Sequence, residues 1–151
     1  MSKYFQNKIA LISGASSGIG KALALQLAQQ GCNVALLART QSRLQEVADQ
    51  IRSAGSQALV LPTDLTDSNA IRASVQTALT TWRHIDIVFS NAGQYHRSPI
   101  VALTVEDLRK SMEINFYSHV ALVLAILPAM LAQKSGHLVL VSTMDAKKGI
   151  P

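Results

Sequence analysis

Apolar positions along this chain fall into short blocks with two alternating spacings. The runs KIALIS at 8–13, NVALLA at 33–38, QALVLP at 57–62, DIVFS at 86–90 and HLVLVST at 137–143 are nearly continuous in aliphatic residues. Strands buried on both faces read this way. Between the first two runs, Leu23, Ala24, Leu27 and Ala28 recur at helical spacing before Gly31, which predicts a helix that stops at a glycine. The same spacing predicts helices from Ser42 to about Ala54, from about Ser68 to Thr81 and from Val105 to about Gln133. Five strands alternating with helices require a parallel sheet with right-handed crossovers. The expected fold is a doubly wound α/β domain. Its loops, such as SAGS, TDLTDS and QKSG, are short and polar, so residues 1–151 are expected to form one domain.

Composition narrows what such a domain does. At 151 residues and 48% hydrophobic content the chain is long enough to bury a core of its own. The net charge of +5 is spread thinly, with no basic run or aromatic-interleaved patch, which disfavours nucleic-acid binding. Cys32 has no second cysteine to pair with, and fits a reducing, cytoplasmic setting as a small buried side chain. The N-terminal MSKYFQNK lacks the apolar core of a signal peptide. The longest apolar run, VALVLAILPAMLA, spans about 13 residues and contains Pro128, whereas crossing a bilayer takes about 20. No transmembrane segment is expected. His84, His96, His119 and His137 show no paired spacing for a metal and are expected to be structural or on the surface.

The candidate chemistry begins where the first strand passes into the first helix. In SGASSGIG, Gly14, Gly18 and Gly20 add no side chains, so an anionic phosphate can approach the backbone amides and the positive end of the helix dipole. Gly20 lets the helix pack closely on the sheet, and Ser16 and Ser17 add hydroxyl donors. A glycine string set between a strand and a helix in the first βαβ unit points to a dinucleotide, and hence to a Rossmann fold. The end of the second strand then selects among dinucleotides. An acid there would take ribose hydroxyls, but this chain has Ala38 and Arg39, and a guanidinium suits a 2′-phosphate. NADP(H) is therefore the expected cofactor.

The spacing Gly-x-x-x-Gly-x-Gly, the NAG segment of Asn91, Ala92 and Gly93, Asn115 inside a long helix and a serine-bearing fifth strand together resemble the short-chain dehydrogenase/reductase family, across about Lys8 to Thr143. By that resemblance, Gly14, Ser16, Ser17, Gly18, Ile19 and Gly20 form the cofactor turn. Arg39 is the basic residue of NADP-preferring members. Asp64 and Leu65 flank the adenine, and Asn91, Ala92 and Gly93 lie beneath the adenosine ribose and the central strand. Read from its residues alone, Asp64 in TDLTD is a helix-cap or turn acid. Asn115 is implied to help hold a water chain that relays protons to a catalytic lysine.

In similar enzymes the fifth strand ends in a serine that bonds the substrate carbonyl, followed by a Tyr-x-x-x-Lys pair that acts as general acid and holds the nicotinamide ribose. Alignment on Gly136 and Gly149 puts Thr143 at the serine position, with Ser142 beside it. Alternate strand residues face opposite ways, so only one of the two can address the substrate. The following MDAKKG departs from the small apolar residues usual there: its charges either approach the substrate entrance or bend away into solvent. No tyrosine follows the fifth strand before Pro151, so the catalytic pair is expected outside these residues and the chain alone is expected to be inactive. The fifth strand and the helix carrying Leu122, Leu124, Ile126 and Leu127 are then expected to expose apolar surface.

The resulting expectation is an oxidoreductase moving a hydride between NADP(H) and a small-molecule carbonyl or alcohol, homo-oligomeric at full length. The alternative is a non-catalytic NADP-binding fragment or sensor module. A methyltransferase on a similar sheet would want an acid ending the second strand, and Arg39 and the NAG segment speak against it.

Overall fold

A computed structural model describes residues 3–95 and 98–142. Five parallel strands, β1 (Ile9–Ser13), β2 (Asn33–Ala38), β3 (Ala58–Pro62), β4 (Ile87–Ser90) and β5 (His137–Leu140), form one sheet in the order β3-β2-β1-β4-β5. The helices are α1 (Gly18–Gln29), α2 (Gln41–Ser53), α3 (Ser68–Trp82), α4 (Val105–Met112) and α5 (Ser118–Ala132). After β3 the chain crosses to the other side of β1, so a crevice opens between the ends of β1 and β4. Doubly wound sheets bind ligands at such a reversal.

Strand alternation sorts the core into two layers. Ile9, Leu11, Leu37 and Val88 face one side and pack with Ile71, Val75, Leu122 and Ile126 of α3 and α5. Ala10, Ile12, Val34 and Leu36 face the other side and pack with Leu27, Leu44, Val47 and Ile51 of α1 and α2. Each helix buries one stripe because its apolar residues return every three or four positions.

The expected strands and helices are present, with some differences at their ends. β5 stops at Leu140, although the Val141 amide still donates to the Ser90 carbonyl at 2.9 Å. The long helix expected from Val105 is interrupted by one π-helical turn, Glu113–Tyr117, joining α4 to α5. Taken together, Val105–Ala132 runs for 28 residues and holds an 18-residue stretch with a mean hydropathy of 1.8, long and apolar enough by length and composition to cross a membrane. Judging the 13-residue run alone passes over that length. In this fold Leu122, Ile126 and Met130 of the same helix are core residues.

Candidate functional site

β1 delivers Ser13 to the edge of the crevice, and the chain turns at Gly14 with φ +68°, a left-handed conformation that favours glycine. A Cβ on Gly14 would lie 3.0 Å from the Ala92 Cα. On Gly20 it would collide with the Gly14 carbonyl and come within 2.7 Å of Asn91 Nδ2. Bare backbone is therefore needed where the first turn of α1, the end of β1 and Asn91 meet. Ser17 occupies the N-cap of α1 without bonding its amides through its side chain. Those donors stay available to an anion.

Asn91 and Ala92 are fixed from β1. The Ser13 hydroxyl accepts the amides of Asn91 at 2.9 Å and Ala92 at 3.1 Å, while Asn91 Nδ2 donates to the Ser13 carbonyl at 3.2 Å. Sequence reading misses Ser13, whose only signal is a polar residue ending a buried strand.

An open cleft of about 880 Å³ starts at this turn. Gly14, Ser16, Ser17, Ile19, Arg39, Asp64, Leu65, Asn91, Ala92 and Gly93 all line it, whereas Gly18 and Gly20 do not. Thr40 and Arg43 also line it, as do Lys110, Ser111 and Ile114 from the α4 side. Sequence reading does not single out these five. Arg43 was detectable as a second cation one turn beyond Arg39. The N-cap of α2, Thr40, like Ser17, leaves its helix without a side-chain cap, while α3 and α4 are capped by Asp67 and Thr104.

Asp64 acts as the turn acid its local sequence suggests. Its carboxylate accepts the Thr66 amide at 3.0 Å and the Thr66 hydroxyl at 2.8 Å, as a turn acid does, yet the residue lies in the cleft wall. Those bonds, with Arg39 nearby, hold its pKa below the usual carboxylate range.

Asn115 sits in the π-helical turn, and π turns are frequent at functional sites. Its Oδ1 accepts the Gln94 amide at 2.8 Å, and its Nδ2 donates to the Gln94 carbonyl at 2.9 Å and to Ser111 Oγ at 3.2 Å. The side chain thus clamps the segment after Gly93 to the helix. Ser142 is the last described residue and is exposed, while Thr143 and MDAKKG lie outside the described residues.

One Tyr-x-x-x-Lys string does occur, from Tyr4 to Lys8, so the expectation that none of Tyr4, Tyr95 and Tyr117 has a lysine at the fourth following position fails for Tyr4. It precedes β1, at the pole of the sheet opposite the glycine turn. There Lys8 Nζ pairs with Asp86 at 3.0 Å, which raises the lysine pKa, and His84 approaches the same carboxylate at 3.3 Å. Cys32 is buried, and burial pushes its thiol up to about 12. His119 is also buried, against Ser90, while His96 lies outside the described residues. No metal-binding group of three His, Cys, Asp or Glu occurs among the described residues.

A family model described as short chain dehydrogenase matches residues 8–151. A fatty acyl-CoA reductase from Acinetobacter baylyi is 39% identical over 141 residues, covering 92% of this chain and 48% of that protein. Dehydrogenase/reductase SDR family member 7B from Rattus norvegicus is 36% identical over 154 residues, covering 98% of this chain and 47% of its own. Among solved structures, a 7α-hydroxysteroid dehydrogenase complexed with NADH and 7-oxo glycochenodeoxycholic acid superposes with a TM-score of 0.93 at 27% identity, over 98% of this chain and 58% of that one. NAD+-bound xylitol dehydrogenase does so with a TM-score of 0.94 at 29% identity, over 98% and 57%. The chain spans about half the length of these curated relatives.

Proposed function

The chain belongs to the short-chain dehydrogenase family, and from that premise we propose that it supplies the dinucleotide-binding part of an NADP(H)-dependent oxidoreductase acting on a carbonyl or alcohol. The observation that carries the cofactor choice is the end of β2. It bears no acid, and Arg39 and Arg43 line the adjoining cleft. A carboxylate there would repel a 2′-phosphate, while a guanidinium bonds it through two parallel donors. The bare turn at Gly14 and Gly20, with the open amides of α1, suits the pyrophosphate. Asp64, Leu65, Asn91, Ala92 and Gly93 would hold the adenosine portion. When bound, NADP(H) supplies or accepts the hydride.

On the chemical side, Asn115 keeps the Gly93–Gln94 backbone at a fixed distance from the helix, and a hydroxyl at Ser142 or Thr143 orients the substrate oxygen. The Tyr and Lys that complete proton transfer are proposed to belong to residues beyond these. An apolar carbonyl substrate agrees with two similar proteins, one named for a fatty acyl-CoA and one holding a 7-oxo steroid. A homo-oligomer at full length is part of the proposal, supported by the exposed apolar Val105, Leu108, Met112, Val120 and Leu124 along the long helix.

Fluorescence titration with NADPH and NADH tests this reading. A charge-assisted bond contributes about 1.5–3 kcal/mol, so NADPH should bind about 10- to 100-fold more tightly than NADH, and Arg39→Glu should erase that ratio. Equal affinity for both nucleotides in the unsubstituted protein would overturn the NADP(H) assignment.

A further inference from the structure

Ser90 ends β4, and His119 stands in the first turn of α5, just after the π-helical segment. Ser90 Oγ and His119 Nδ1 share a hydrogen bond of 2.7 Å between positions 29 apart in sequence. Both residues are buried, at 2% and 8% exposure. Two buried polar groups are desolvated together, and a fold tolerates this only where each satisfies the other. Aliphatic residues join the same sheet face to the same helix one step away, at Val88 and Leu122. The polar pair is thus a departure from the local rule, and an apolar pair would have closed the gap as well.

Ser90 is bonded on two fronts. Its hydroxyl holds the helix that bears Asn115, and its carbonyl accepts the amide of Val141, the residue before Ser142. Apolar contacts slide past one another at little cost, whereas a short bond between two desolvated groups has one setting. We propose that Ser90 and His119 form a positioning pair that fixes the depth of the Asn115 turn against the β4–β5 ladder. Asn115, its partner Gln94 and the end of β5 thereby keep one mutual placement during the reaction. The inference rests on the oxidoreductase reading above. It concerns neither the glycine turn nor Arg39, which the pair does not touch.

The test compares paired substitutions in the protein expressed from its complete reading frame. Ser90→Thr and His119→Asn keep a hydrogen-bonding atom, while Ser90→Val and His119→Leu, branched like those two replacements, remove it. Misplacement of reacting groups by about 1 Å costs up to 100-fold in rate, so the Val and Leu variants should lose about tenfold or more in kcat. Their KM for NADPH should change by less than about twofold, since phosphate binding lies elsewhere. The Thr and Asn variants should recover most of the rate. Equal kcat in all four variants, equal impairment of the Asn and Leu variants, or affinity falling as far as kcat would each overturn the pair's role. If the unsubstituted protein binds neither nucleotide, the oxidoreductase reading fails on its own. Amide hydrogen exchange at Gln94 and Val141 then decides the inference: about tenfold faster exchange in the Val and Leu variants supports it, and unchanged exchange overturns it.

Discussion

The two flanks of the sheet are held by different forces. Within β1 and β2 every strand residue but Asn33 is buried, the outer β3 is partly buried, and α1 and α2 seal one face with a continuous aliphatic layer. On the β5 side all four strand residues are exposed, and neither α4 nor the π-helical turn buries a residue. On that side specific polar bonds supplement the core residues of α5: the capping box of Thr104 and Asp107, the clamp of Asn115 on Gln94 and the Ser90–His119 bond. The first flank is where phosphate and adenosine are proposed to sit, and the second is where the reacting groups are proposed to gather. Apolar burial tolerates small shifts, so it suits a cradle. Hydrogen bonds impose angle and distance, so they suit chemistry.

This contrast is exposed to direct attack. The largest expected effect is a matched truncation. Leu36→Ala, at a fully buried position, should lower unfolding free energy by about 2–5 kcal/mol. Leu140→Ala, at 57% exposure, should change it by less than about 0.5 kcal/mol. Urea midpoints for the two variants measure the difference, and comparable losses would abolish the distinction between the flanks.

Next in size is Gly20→Ala. Such a replacement within a helix ordinarily gains about 1 kcal/mol. Here the new carbon meets the Gly14 carbonyl and Asn91, so a net loss of about 1–3 kcal/mol is expected, together with weaker NADPH binding. A stabilised variant with undiminished affinity would mean that the close approach at the turn does not matter.

The finest probe uses two helix caps. Asp67→Ala removes the acceptor for the Asn69 amide at α3, and Thr104→Ala opens the capping box at α4. Each should cost about 1 kcal/mol. The α3 loss should appear in the global melt, since Ile71 and Val75 belong to the core. The α4 loss should appear only as faster local amide exchange, because that helix has no buried residue.

Legibility in the sequence followed the same divide. The strands and α1 to α3 were readable because burial on both faces leaves uninterrupted aliphatic runs, and helix ends erred by about a residue, as with α2 at Gln41–Ser53. Among the proposed cofactor residues, those that line the cleft were readable from short motifs. Ser13 and the Gln94–Asn115 clamp were not, since a bond spanning 78 or 21 positions leaves no local trace. The expectation for His119, structural or surface, leaves both open, and its partner Ser90 is invisible in the sequence for the same reason. The π-helical turn also left no signal, because EINFY contains neither proline nor glycine.

That turn has a geometric consequence. An α-helix advances about 100° per residue, so one extra residue in a turn sets everything downstream back by about that angle. Upstream, Asp107, Lys110, Ser111 and Ile114 address the cleft; downstream, His119, Leu122, Ile126 and Met130 address the sheet. Projected along an unbroken helix, these two groups would point roughly a quarter-circle apart. The widened coil brings them into phase, and removing one residue from it would act as a rotation of one half of the rod against the other rather than as a shortening.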